Sequence, residues 1–206
     1  MEPSELRIGN ASDLVEEAQP QPTLETERLV IRPFCDTDAN AVQSLLQSRE
    51  IAANTASIEH PYPEGAAALW IATHAGCWAR GESAVFAMVE RHQREQVRGA
   101  IGLEIHARDE NAELGYWVGE PWWGRGYATE AAEAVLQFGF SVLGLRKIYA
   151  HHHAKNPASG RVMQKVGMEQ EGYMKCHVKK WGRFEDVIYY GKLCPLDEDA
   201  PTANEG

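Results

Sequence analysis

Residues 120–131 read EPWWGRGYATEA, and this turn constrains the chain more than any other stretch. Two glycines one residue apart follow a strand-like run, AELGYWVG at 112–119, and precede a helical one, YATEAAEAVLQFGFSVLG at 127–144. Within the helical run Ala131, Val135, Phe138 and Val142 recur at helical spacing, and Gly144 stands where the helix should stop. RKIYAHHHA at 146–154 then reads as the next strand. Strand, helix and strand in succession predict one central crossover connection.

The flanking stretches read as short alternating pieces. Strands are predicted at 28–34, 84–90, 97–106, 168–178 and 184–193, and helices at 36–48, 64–81 and 156–167. Asp36 is the expected N-cap of the first helix, and Asn156 that of the last, with Pro157 at its first position. The order β-α-α-β-β-β-α-β-α-β-β implies an α+β fold with a mixed, mostly antiparallel sheet flanked by helices. Residues 1–22 and 195–206 are polar and acidic and are expected to be disordered tails around a single domain, 23–194.

Charge sharpens this division. The net charge of -10 resides in the ends, with -6 over residues 1–27 and -4 over 195–206. Between them, residues 28–145 are acidic and 146–192 basic, which suits a cationic substrate and an anionic cofactor on different faces. Nothing in the pattern favours nucleic acid. No apolar run is long enough to span a membrane and no leader pattern opens the chain, so a cytoplasmic protein is expected. The four cysteines (Cys35, Cys77, Cys176 and Cys194) lie far apart in sequence and are expected to be buried thiols. His151-His152-His153 would alternate along a strand, too weak a pattern for metal, and no metal is expected.

A Gly-x-Gly turn at a helix start is suited to an anion. Helix N-termini expose unpaired N–H groups, and glycine lets them converge. Gly124, Arg125, Gly126, Tyr127 and Ala128 would then donate to a phosphate or pyrophosphate. A P-loop needs Lys and Ser/Thr after its last glycine, where this chain has Tyr127-Ala128. A dinucleotide fingerprint needs a third glycine, where this chain has Thr129, and a later acid, where it has Arg146-Lys147.

Five segments in order resemble the GNAT superfamily of N-acetyltransferases, of the ribosomal-protein acetyltransferase (RimJ/RimL-like) kind. They are LETERLVIRPF (24–34), AELGYWVG (112–119), WWGRGYATEAAEAVLQFGF (122–140), NPASGRVMQKVGM (156–168) and EGY (171–173). The chain departs from the superfamily pattern Q/R-x-x-G-x-G/A at Pro121. The resemblance implies a GNAT fold and acetyl-CoA as the ligand. Trp117, Val118 and Gly119 would pair with its pantetheine arm, and Trp123 to Thr129 would hold the pyrophosphate. Asn156 and Ser159 match the family's Asn-x-x-Ser along the arm.

Acetyl transfer to an amine needs a neutral amine, a polarised carbonyl and a proton for the leaving thiolate. A protein α-amine, with a pKa of about 8, needs less help than a lysine at about 10.4. Ser159 is the first candidate for the thiolate acid, by its match to the family, and Tyr173 the second. For the base, Glu104 is an acid in an apolar strand, where partial burial would raise its pKa, and Glu113 is its rival. Tyr62 and Trp70 are expected to contact the acceptor. By resemblance the acceptor is a protein N-terminus. A small-molecule amine, or a non-catalytic CoA-binding sensor, stays open, as does monomer or homodimer.

Overall fold

The computed structural model describes residues 19–195. The strands are β1 (Leu24–Glu25), β2 (Leu29–Pro33), β3 (Ser83–Glu90), β4 (Gln93–His106), β5 (Asn111–Val118), β6 (Lys147–His153), β7 (Glu169–Lys180) and β8 (Arg183–Leu193). The helices are α1 (Ala39–Leu45), α2 (Arg49–Ala53), α3 (Ala66–Ala79), α4 (Tyr127–Ser141) and α5 (Pro157–Lys165). One sheet runs in the order β1-β2-β3-β4-β5-β6-β8-β7. Every pairing in it is antiparallel except β5 with β6, which α4 joins as the crossover.

Strand alternation sorts side chains into two cores. Ile101 and Leu103 of β4 with Ala112 and Leu114 of β5 meet Ala131, Val135 and Phe138 of α4 on one face. Ala100 of β4 and Trp117 of β5 meet Val42 of α1, Ile51 of α2 and Ile71 of α3 on the other.

The pairing of β5 and β6 stops early, and this positions the site. Only Asn111, Ala112 and Glu113 pair, with Lys147, Ile148 and Tyr149. β5 then runs on to Val118 and β6 to His153 without each other. The sheet forks there, leaving backbone donors and acceptors on β5 open for an extended ligand.

The structure corrects several local readings. Asp36 is not the N-cap: the first turn is a 3-10 turn, Asp36–Asp38, capped by Cys35, whose N–H donates to the Asp38 carboxylate at 2.9 Å. The segment read as one helix over 36–48 ends at Leu45, and α2 follows as a separate helix capped by Ser48. Val142 lies beyond the end of α4 and is 67% exposed, so it takes no part in the core. Cys35 and Cys176 are exposed and Cys77 and Cys194 half-buried, because they fall at turns, at a helix end and in a bulge. The acidic tails at 1–18 and 196–206 lie outside the described residues. Residues 19–22, expected to be tail, are tied to the domain: Trp78 Nε1 donates to Gln19 O and Gln21 Nε2 to Val85 O.

Candidate active site

Two cavities meet at the fork. The smaller, of about 350 Å³, lies over the start of α4 and is lined by Trp117, Val118, Trp123, Gly124 and Gly126 to Thr129, together with Asn156 and Ser159. The larger, of about 880 Å³, runs through the fork to the α1–α3 face. Asn54, Thr55, Tyr116, Trp117 and Ser159 line both.

The smaller cavity is built mainly from backbone. Gly124 and Gly126 have φ of 74° and 81°, left-handed values that strain any residue with a Cβ. They turn the chain into α4, whose first turn has no side-chain cap. The N–H groups of Tyr127, Ala128 and Thr129 therefore remain without intrahelical partners and line the cavity. The turn is braced from behind. Arg28 pairs with Glu130 at 2.6 Å and donates to Arg125 O at 2.8 Å, and the Tyr127 hydroxyl donates to Glu90. That hydrogen bond, reinforced by Arg98, keeps the Glu90 carboxyl below the usual carboxylate range.

Two of the residues expected to hold acetyl-CoA, one on its arm and one at its pyrophosphate, do not line this cavity. Gly119 is packed under the Trp122 ring, where a Cβ would come within 2.7 Å of it. Arg125 is exposed, with its charge near Tyr127 and Glu90. Arg161 and Lys165 of α5 line the cavity instead. Sequence reading missed them, although two basic residues four apart share a helix face. Trp123 is half-exposed, and its Nε1 donates to Val118 O at 2.6 Å.

The junction of the cavities holds one specific contact. Asn156 Oδ1 accepts from Ser159 N at 3.4 Å and so caps α5 itself. Ser159 Oγ is thereby freed from a capping role, and it meets Tyr116 Oη at 2.7 Å. Burial pushes the Tyr116 phenol up to about 12, so it stays protonated at working pH. Tyr116 escaped the sequence reading because an aromatic in a strand reads as packing.

The larger cavity is built from side chains of many segments. Tyr62 and Trp70, the expected acceptor contacts, line it. His74 of α3 is 93% buried in its wall, edge-on to Trp70 with ring centroids 4.4 Å apart, and both its ring nitrogens are without partners. Burial pushes its pKa down to about 4. On the floor, Glu104 and Glu113 face each other across β4 and β5. Glu104 is exposed rather than partly buried, because the buried run of β4 ends at Leu103. Glu113 is half-buried, with Oε1 2.6 Å from His151 Nδ1.

Tyr173 lines neither cavity. It is half-exposed on β7, and its hydroxyl donates to Asp186. The three histidines lie in succession on β6, and His152 and His153 are buried. No group of three His, Cys, Asp or Glu side chains among the described residues is arranged to hold a metal ion. No described helix is long and apolar enough to cross a membrane.

Comparison with known proteins fits this architecture. The family described as acetyltransferase (GNAT) domain matches residues 28–169. YoaA of Bacillus subtilis, named as an uncharacterized N-acetyltransferase, is 31% identical over 182 residues, spanning 85% of this chain and 99% of that protein. The ribosomal protein uS5-alanine N-acetyltransferase of Escherichia coli is 25% identical over 184 residues, spanning 85% and 93%. Among solved structures, RimL, an L7/L12 α-N-protein acetyltransferase in complex with coenzyme A, superposes with a TM-score of 0.75 at 17% identity, covering 84% of this chain and 98% of that one.

Proposed function

This chain belongs to the GNAT acetyltransferase family and is an acetyl-CoA-dependent N-acetyltransferase that acts on an amine; from that premise we propose that its acceptor is the α-amine of a protein or peptide N-terminus. The residues present suit the donor. An uncapped helix start with two left-handed glycines suits a pyrophosphate, and Arg161 and Lys165 add charge beside it. The open edge of β5 at the fork suits the amides of an extended arm. Acetyl-CoA, when bound, supplies an activated acyl group as a thioester.

The meeting of the two cavities at Tyr116, Trp117 and Ser159 carries this reading. A thiol arriving along the fork and an amine arriving from the α1–α3 face would meet there and nowhere else. In this proposal Ser159 Oγ–H protonates the departing thiolate, and Tyr116 donates to Ser159 Oγ and replaces the proton. Trp70 and Tyr62 form the acceptor wall. The relative that acts on ribosomal protein uS5 supports a peptide acceptor.

One observation favours a second reading, a small polycationic amine: Glu82, Glu104 and Glu113 all line the larger cavity. The experiment is thiol release from acetyl-CoA against two panels, peptides with free N-termini and small di- and polyamines. Peptide turnover that N-terminal blocking abolishes supports the proposal. Turnover with the amine panel alone overturns it.

A further inference from the structure

The histidine run is the one sequence feature that the acetyl-transfer reading leaves unused, and the fork gives it a place. Glu113 and Tyr149 form the last pair before β5 and β6 separate. Two residues on, and on the same face of β6, His151 is the first side chain of that strand to face the opened cleft. Its Nδ1 is buried and lies 2.6 Å from Glu113 Oε1, off the line of an ideal ring N–H bond. Nε2 is then left toward the cleft, which Tyr116 and Ser159 also line.

Tyr149 lies two residues before His151 on the same face of β6, and burial together with Glu113 pushes its phenol up. Glu104 lies beyond Glu113 on β4, and His153 follows on β6. Tyr189 of β8 stands opposite, with ring centroids 5.2 Å apart, and its hydroxyl meets His177 Nε2 of β7 at 3.2 Å. Among these, His151 alone combines a carboxylate behind one nitrogen with an open cleft before the other. His153 and His74 are more deeply buried, with both nitrogens unpartnered, and burial lowers their affinity for a proton. Glu113 is held against the imidazole, and Glu104 lies out in solvent.

We propose that His151, oriented by Glu113, is the general base that takes the acceptor's proton. This rests on the amine-acetyltransferase reading above. As the C–N bond forms, the amine nitrogen gives a proton to His151 Nε2. The C–S bond breaks, and the leaving thiolate takes a proton from Ser159 Oγ, which Tyr116 replaces. His151 passes its proton to solvent and Tyr116 regains one, so the products are the amide and the free thiol with no net proton change from the neutral amine. Glu113 fixes the tautomer and stabilises the imidazolium as it forms.

The test pairs His151→Gln, which keeps size and polarity but cannot take a proton, with Glu113→Gln. His151→Gln is expected to lower kcat roughly 100-fold and to flatten the acidic limb of the kcat/KM profile. It should leave the acetyl-CoA-induced rise in melting temperature intact. Glu113→Gln is expected to cost less, roughly tenfold, as a positioning residue. Activity of His151→Gln within threefold of wild type, or a larger loss in Glu113→Gln than in His151→Gln, would overturn the proposal. Nitrogen-15 NMR of the protein without acetyl-CoA gives a readout independent of the acceptor. The neutral His151 ring should carry its proton on Nδ1 and release that preference in Glu113→Gln; a proton on Nε2 overturns the assignment. Absence of turnover with every amine would defeat the acceptor reading alone, and the tautomer would still decide this one.

Discussion

The two halves of the forked cleft are made of different materials. The half over α4 is made largely of main chain: two left-handed glycines, an uncapped helix start and the unpaired edge of β5. The half on the α1–α3 face is made of side chains drawn from the loop at 54–58, α3, β4, β5 and β6. A backbone cradle fits any ligand carrying the same pyrophosphate, so it constrains sequence tightly. A side-chain wall can be rebuilt residue by residue and so carries selectivity. Substitutions in the two halves should therefore fail differently, the first in donor affinity and the second in acceptor affinity.

The largest effect is expected at Gly126. Gly126→Asp puts a carboxylate where an anion should bind and forces a Cβ onto a φ of 81°. We expect acetyl-CoA affinity to fall by roughly 100-fold or more and the ligand-induced rise in melting temperature to vanish. Calorimetric titration measures this directly, and undiminished affinity would mean that the cradle lies elsewhere. Gly126→Ala, which adds strain without charge, should fall between.

Next in size is the junction, where the halves share atoms. Ser159→Ala should lower kcat roughly 30-fold and leave the KM for acetyl-CoA within about threefold. Tyr116→Phe removes the proton source behind Ser159 and should give roughly a tenfold loss with the same pattern. A rise in KM with kcat unchanged would move Ser159 out of the proton path and into binding alone.

The third effect isolates the acceptor half. Trp70→Ala removes an aromatic wall that also packs on Phe34 and His74. The acceptor KM should rise roughly tenfold while acetyl-CoA binding is unchanged. Loss of acetyl-CoA binding in this variant would mean that the two halves are mechanically coupled.

The same contrast explains what was legible in the sequence. Strand and helix order, the crossover and the glycine turn could be read because each is encoded locally, by periodicity or by a backbone geometry that glycine alone adopts easily. Asn156 could be read as a cap because capping is local too. The Tyr116–Ser159 contact joins positions 43 apart and left no trace in either segment. Glu113 was visible as a candidate, but not that His151 holds it, since that depends on where β5 and β6 part. The exposure of Glu104 was misread because an apolar strand suggests burial on both faces, and here the buried run of β4 ends at Leu103. Arg161 and Lys165 looked like ordinary helix surface until the fold placed α5 beside the cradle.

The smallest effect distinguishes the halves by acid. His74 is buried without a partner in the wall of the larger cavity, and its pKa is pushed down to about 4 from 6.5. Between these values the unfolded chain binds a proton that the folded chain refuses, so the stability associated with His74 falls as pH drops. From pH 6.5 to 5.5 this amounts to about 1 kcal/mol, or roughly 2–4 °C in Tm. His74→Leu should flatten that slope when Tm is followed against pH, because leucine has no proton to gain and fills much of the same apolar space. His153, also lowered by burial, remains in both proteins, so the difference between the two curves isolates His74. The cradle side presents the backbone N–H groups of Tyr127, Ala128 and Thr129, which have no proton to gain, so acetyl-CoA affinity should hold through the pH range in which the larger cavity's wall weakens. An unchanged slope in His74→Leu would mean that the ring reaches water or a proton partner in solution, and the wall of the larger cavity would then be more open than its packing against Phe34 and Trp70 implies.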